Sequence, residues 1–276
     1  RADQLARMSL VFAAIAPHGT LPEAPVPGAE KTHEALAELG RRFDAAAPEA
    51  TIVLTPHNVH VQGHFAVTLA GTVAGSLADF DAADVKLSCP VDLELAAQAI
   101  VALHDEGLPA VGTSFGGNEA ATATAPLDWG ALIPLWCMGG RSNPPVPAVV
   151  VSPARDRPLE EHVRAGRAIA GAAERSGKRV ALIASADHGH AHDPEGPYGF
   201  DPAAALYDEE IVRLVRENRL SGLLALEPAF VGAAKADSWW QLAMLYGALG
   251  DGWQGEFLSY EASTYFGMLC AAYAPN

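Results

Sequence analysis

The chain reads as an α/β protein: one central, mostly parallel but mixed sheet flanked by helices, in a single domain over residues 8–276. Apolar runs of strand length, at Leu10–Ile15, Thr51–Leu54, Ala148–Val151 and Val180–Ser185, alternate with longer stretches of helical periodicity. Three of these runs end in loops that carry histidine: Ala16-Pro17-His18-Gly19, Thr55-Pro56-His57-Asn58-Val59-His60, and Ala186-Asp187-His188-Gly189-His190-Ala191-His192. No linker, repeat or low-complexity tract breaks the alternation. Open α/β sheets bind ligands outside the carboxyl ends of their strands, so the site is expected there.

Strand 10–15 leads through a Pro-rich loop, Pro17 to Pro27, into a helix near 31–46 whose Leu36, Leu39 and Phe43 share a face. Strand 51–54 follows, and residues 63–90 read as a strand pair or excursion. Asp92 is placed to cap a helix over 92–105, with Glu94 in its first turn. Gly112–Gly117 lacks the spacing of a phosphate loop and reads as a flexible connection. Leu132–Trp136 and Ala148–Val151 read as short buried strands around a turn rich in Gly, Asn and Pro. A helix over Leu159–Ser176 is closed by Gly177. Helices at 202–217 and 237–249 and strands near 256–260 and 265–273 complete the chain.

Half of the 276 residues are hydrophobic, ample for a core. The formal net charge of −15 repels phosphate backbones and anionic membranes, so neither nucleic acid nor a membrane is an expected partner. Cys89, Cys137 and Cys270 are far apart and form no CxxC pair. That argues against a disulfide framework or a thiolate zinc site and favours a reducing, cytoplasmic location. No apolar run approaches the roughly eighteen residues of a spanning helix, and no leader pattern opens the sequence. Residues 1–7, ahead of Met8, read as a short N-terminal extension or cloning remnant outside the fold.

Neutral imidazole and carboxylate together suit a divalent first-row metal, and two histidines plus one carboxylate with open positions form the facial triad of non-haem Fe(II) oxygenases. His18 and His57 are the leading ligand candidates, because each follows a proline that stiffens the turn out of its strand. His60, His64 and His192 are spare, and His33, His104 and His162 fall in helices and read as surface residues. Tyr198, Phe200, Trp239 and Trp240 are candidates for an apolar wall.

Ala16-Pro-His18-Gly, Thr55-Pro-His57, Leu127-Asp-Trp-Gly-Ala-Leu-Ile-Pro-Leu135 and Ser185-Ala-Asp-His-Gly-His190, in this order across nearly the whole chain, resemble the class III (LigB-like) extradiol ring-cleavage dioxygenases. The resemblance implies an Fe(II) enzyme that uses O₂ to open a catechol-type or o-aminophenol-type ring beside its two heteroatoms. It implies His18 and His57 as metal ligands and His190 as the acid/base residue, with Asp187 and His188 as further catalytic candidates. His188 occupies a position the family usually fills otherwise, and Trp129 stands where the family has a histidine. The third ligand is Asp237, just ahead of a late helix, in preference to Glu261 on the closing strand; Asp237 also reads as a helix cap and Glu261 as a solvated strand residue. A small aromatic substrate, O₂ and a homo-oligomeric state are the implied partners. Two other readings stay open: a zinc-dependent hydrolase on the same scaffold, and a non-catalytic binding relative.

Overall fold

In the structure, a computed structural model that describes residues 9–275, the elements run β1 (Leu10–Ala16), α1 (Glu30–Ala46), β2 (Ala50–Leu54), β3 (Phe65–Thr68), β4 (Thr72–Leu77), β5 (Ala82–Pro90), α2 (Leu93–Asp105), β6 (Ala110–Thr113), β7 (Thr124–Pro126), α3 (Trp129–Cys137), β8 (Ala148–Ser152) and α4 (Leu159–Ser176). They continue as β9 (Val180–Ser185), α5 (Pro202–Arg216), α6 (Pro228–Ala233), α7 (Trp239–Leu249), β10 (Trp253–Glu261) and β11 (Met268–Pro275). The extension expected over residues 1–7 lies outside the described residues.

Every residue of β2, β8 and β9 is buried, and all of β1 except Val11, as befits strands that are apolar at successive rather than alternate positions. They form the centre of an eight-stranded sheet in the order β10, β11, β1, β9, β2, β8, β3, β6. β1, β9, β2 and β8 run parallel, β3 is antiparallel to β8, and the β10–β11 hairpin adds antiparallel strands beside β1. The expected single-domain, mostly parallel mixed sheet with helical cover is therefore present. The 63–90 excursion contributes β4 and β5 to a separate sheet in which β4 lies between β5 and β7.

Because β9 inserts between β1 and β2, the exits that carry His18, Asp187–His190 and His57 are neighbours. Helix cover then brings the last segment to them. α7 crosses α4 almost backbone on backbone: a Cβ on Gly166 would sit 1.9 Å from the Met244 carbonyl, and one on Gly247 would sit 2.0 Å from that of Val163. The Gln241 amide of α7 also donates to the Ser185 carbonyl at the end of β9, at 2.9 Å. The start of α7 is thus pinned beside the strand exits.

Two expectations are corrected. Leu132–Trp136 is not a strand but the body of α3, which Asp128 caps by accepting from the Ala131 N–H. Apolar residues fill every turn of this buried helix, which erases the periodicity that separates helix from strand. His162 is not a surface residue: it is fully buried in α4, donates from Nδ1 to the Pro158 carbonyl at 3.0 Å, and lies 5.0 Å from the Phe65 ring. Burial pushes its imidazole down to about 4.

Candidate functional site

The Pro17 and Pro56 turns deliver two imidazoles face to edge, the His18 and His57 ring centroids 4.9 Å apart. Asp237, immediately before α7, meets both: its Oδ2 is 3.6 Å from His18 Nε2 and 3.6 Å from His57 Nε2. One donor atom from each of these three residues lies within 4.8 Å of the other two. Asp237 is buried, yet its Oδ1 has no hydrogen-bond partner. A buried carboxylate oxygen left unpaired is costly, and two imidazoles and a carboxylate converging on one point are the donor set that a divalent first-row ion satisfies.

The orientation of His18 traces back to a proline. Pro134 sits inside α3 and has no N–H to return to the Gly130 carbonyl four residues earlier. That carbonyl instead accepts from the Ser185 hydroxyl. With its hydrogen used there, the Ser185 oxygen accepts from His18 Nδ1–H at 2.9 Å, which leaves Nε2 as the ring nitrogen that faces Asp237. Gly130 has a second role here, since a Cβ would lie 2.7 Å from Thr55 Oγ1 and 2.9 Å from His57 Cδ2. Trp129 stands next to it with its ring 4.5 Å from that of His57, so the indole braces the imidazole. His57 is held from the other side, where Ser152 Oγ donates to its carbonyl at 2.7 Å.

Beyond β9 the chain stays extended, strapped between two strips: the N–H groups of His188 and His192 donate to Gly267 and Tyr265, and that of His190 donates to Ala234. Asp187 turns inward, accepting the His18 N–H on Oδ1 at 3.1 Å with Oδ2 3.5 Å from His18 Nε2. His188 is buried away from the cavity, where Nδ1 meets Ser238 Oγ at 3.0 Å and Ser238 in turn meets the Tyr207 hydroxyl at 2.9 Å. His190 faces the site: Nδ1–H donates to the His188 carbonyl at 2.8 Å, leaving Nε2 as a free acceptor 3.9 Å from Asp237 Oδ2. The Phe266 ring stacks on it at 5.8 Å, and Tyr198 meets it edge-on at 5.8 Å. His192 lies behind, donating to the buried Asp208, which also accepts from the Gly189 N–H and the Tyr260 hydroxyl.

Glu261 does not join this group. Its carboxylate accepts from the Thr32 N–H and hydroxyl, both at 2.8 Å, and so supplies the N-terminal cap that Ala29 cannot give α1. His60 is exposed, and His64 bonds within its own loop to the Gln62 carbonyl.

The buried charges settle into one pattern. Burial pulls His18 down, but Asp187 and Asp237 outweigh it and carry the imidazole up to about 9. Burial first, and then the charge of His18, push His57 down to about 3. Burial raises Asp187 above the usual carboxylate range; in Asp237 the same burial is overcome by its contact with His18, which holds it low. One proton on His18, shared between two carboxylates, therefore occupies the place where a cation would bind.

His57, His190 and Asp237 open onto a cavity of about 690 Å³ walled by Tyr198, Trp239 and Trp240, whereas Phe200 is 64% exposed and not part of the wall. Sequence reasoning alone does not single out Ser185 or Arg155, which also lines the cavity. The signal for Arg155 is nonetheless present: Val149-Val-Val-Ser152-Pro153-Ala-Arg155 repeats the strand-then-proline pattern that delivers His18 and His57.

Comparison with known proteins gives a consistent set of matches. Residues 13–269 match the family model described as the catalytic LigB subunit of aromatic ring-opening dioxygenase. Protein CA_C1420 of Clostridium acetobutylicum is 26% identical over 235 residues, covering 85% of this chain and 50% of that protein. The chain thus spans about half the length of this relative. The crystal structure of uncharacterized protein JW3007 from Escherichia coli K12 superposes with a TM-score of 0.62 over 95% of this chain and 99% of that one, at 18% identity, a likeness of fold alone.

Proposed function

Because the chain belongs to the LigB family of aromatic ring-opening dioxygenase catalytic subunits, we propose that it is an extradiol dioxygenase, with Fe(II) held by His18, His57 and Asp237, that opens a catechol-type or o-aminophenol-type ring using O₂. The observation that supports this most is the convergence of two imidazoles and the unpaired Asp237 oxygen on one side of the cavity. When bound, Fe(II) supplies Lewis acidity toward the two ring heteroatoms and a redox-active centre able to engage O₂.

The chain's own residues supply the rest. His190 takes a proton from a ring hydroxyl on Nε2 and later returns it as the ring opens, its Nδ1–H fixed on the His188 carbonyl throughout. His188 acts as a positioning residue, through that carbonyl and through Ser238 next to Asp237. Asp187 holds the backbone of His18 and balances its charge. Tyr198, Trp239 and Trp240 flank the ring and keep water out.

The test is anaerobic loading with Fe(II), then exposure to O₂ with a panel of catechols and aminophenols while oxygen uptake and product absorbance are followed. Iron-dependent uptake is expected, abolished in Asp237→Ala with loss of the metal, and lowered about 10²–10⁴-fold in His190→Ala with the metal retained. Retention of zinc with no oxygen uptake would transfer the site to hydrolysis, and failure to hold any metal would leave a binding protein.

A further inference from the structure

Four adjacent parallel strands, β1, β9, β2 and β8, have their exits side by side, those of β9, β2 and β8 line the cavity, and the proposed chemistry uses the exits of β1, β9 and β2 only. The fourth, β8, continues through Ser152-Pro153-Ala154 to Arg155. Its guanidinium Nε and Nη2 are buried with no hydrogen-bond partner, and its Cζ lies 4.8 Å from the centre of the Trp240 ring. Among the described residues no carboxylate comes within ion-pair distance of it.

Its neighbours are engaged elsewhere. Asp156 accepts the Gly63 N–H with both oxygens, and Arg157 pairs with Glu161. Arg42 and Arg213 likewise have carboxylate partners, whereas the partly buried Arg155 has none among the described residues. A guanidinium is a rigid planar fork of donors matched to a carboxylate, and one left buried without an anion is expensive. Arg157 and Lys235 also line this cavity, as do Asp156 and Asp237.

We propose that Arg155, stacked on the Trp240 face, is the specificity-determining residue for a carboxylate carried by the aromatic substrate, which the edge of the guanidinium fork receives while the ring lies toward His57, His190 and Asp237. This rests on the reading of the cavity as the ring-binding site. Burial lowers Arg155 while the charge of Asp237 opposes that effect, and Arg155, His57 and Asp237 line the same cavity. A single fork presented on one aromatic face suits a planar monoanion better than a tetrahedral dianion.

The test compares equilibrium binding of 4-hydroxybenzoate, its neutral isostere 4-hydroxybenzamide and phenyl phosphate, by calorimetry, to the metal-free protein and to protein loaded anaerobically with Fe(II). Wild type is expected to bind the benzoate at least tenfold tighter than the amide. Arg155→Gln should bring that ratio to about one, and Arg155→Lys should keep part of it, with the melting temperature of both variants near wild type. Equal binding of benzoate and amide by wild type, a ratio that survives in Arg155→Gln, no binding of either ring in either form, or preference for phenyl phosphate each overturns the assignment. Carboxylate selectivity without ring opening would sink only the dioxygenase reading, whereas equal turnover of neutral and carboxylated rings would sink only this one.

Discussion

His18 carries the proton that a metal must displace. With His18 raised to about 9 in the metal-free protein, binding a cation at any lower pH releases that proton, so affinity should climb about tenfold per pH unit up to pH 9 and level off above it. Competition titrations against a chelator at several pH values would reveal a flat profile if the proton sits elsewhere. The same shift bears on the stability of the metal-free fold. A histidine whose folded value lies above its unfolded 6.5 stabilises fully below pH 6.5 and loses that contribution as pH rises through 9. Ser185 bears on the same imidazole without touching a metal. Ser185→Ala frees His18 to take the other tautomer, and metal affinity should fall about 10–100-fold. An unchanged dissociation constant would show that the hydroxyl does not set the tautomer.

Helix ends and helix interiors decide more here than propensity does. Glu261 closes the N-terminus of α1 from a strand far away in the chain, and Glu261→Ala should cost about 1 kcal/mol, a fall of roughly 2–4 °C in melting temperature. Metal affinity should stay within twofold of wild type, and a larger loss would return Glu261 to the ligand set. α3 shows why one element escapes a sequence reading. Pro134 inside an apolar run argues for a strand edge or a break, whereas here its missing N–H is what leaves the Gly130 carbonyl open to Ser185. The long amphipathic helices and the uniformly apolar strands carry their own pattern and are read directly, Gly177 ending α4 in the left-handed region included. α3, α6 and the buried place of His162 depend on contacts from distant segments, which local periodicity does not encode.

The site as a whole is assembled from residues at positions 18, 57 and 237, so a metal should bind the folded chain alone. Free ion at about a hundred times its dissociation constant then adds about 2.7 kcal/mol, expected as a rise of roughly 5–10 °C in melting temperature. Calorimetric melts of Asp237→Asn should show most of that rise gone; if it persists, the ion is held elsewhere. His18 and His57 can be picked out from strand ends alone, because the feature that marks them is local. Bringing Asp237 beside the two histidines takes the α4–α7 crossing, and although Val149–Arg155 repeats the local strand-then-proline pattern, placing Arg155 on the same cavity takes the sheet order, which no one segment contains. That sheet order also fixes when the centre can exist. β9 is made long after β1 and β2, yet it is the strand that lies between them. A nascent chain therefore displays both histidines well before the strand that joins them and the carboxylate that completes them, and an ion captured in that interval would be held by two imidazoles only.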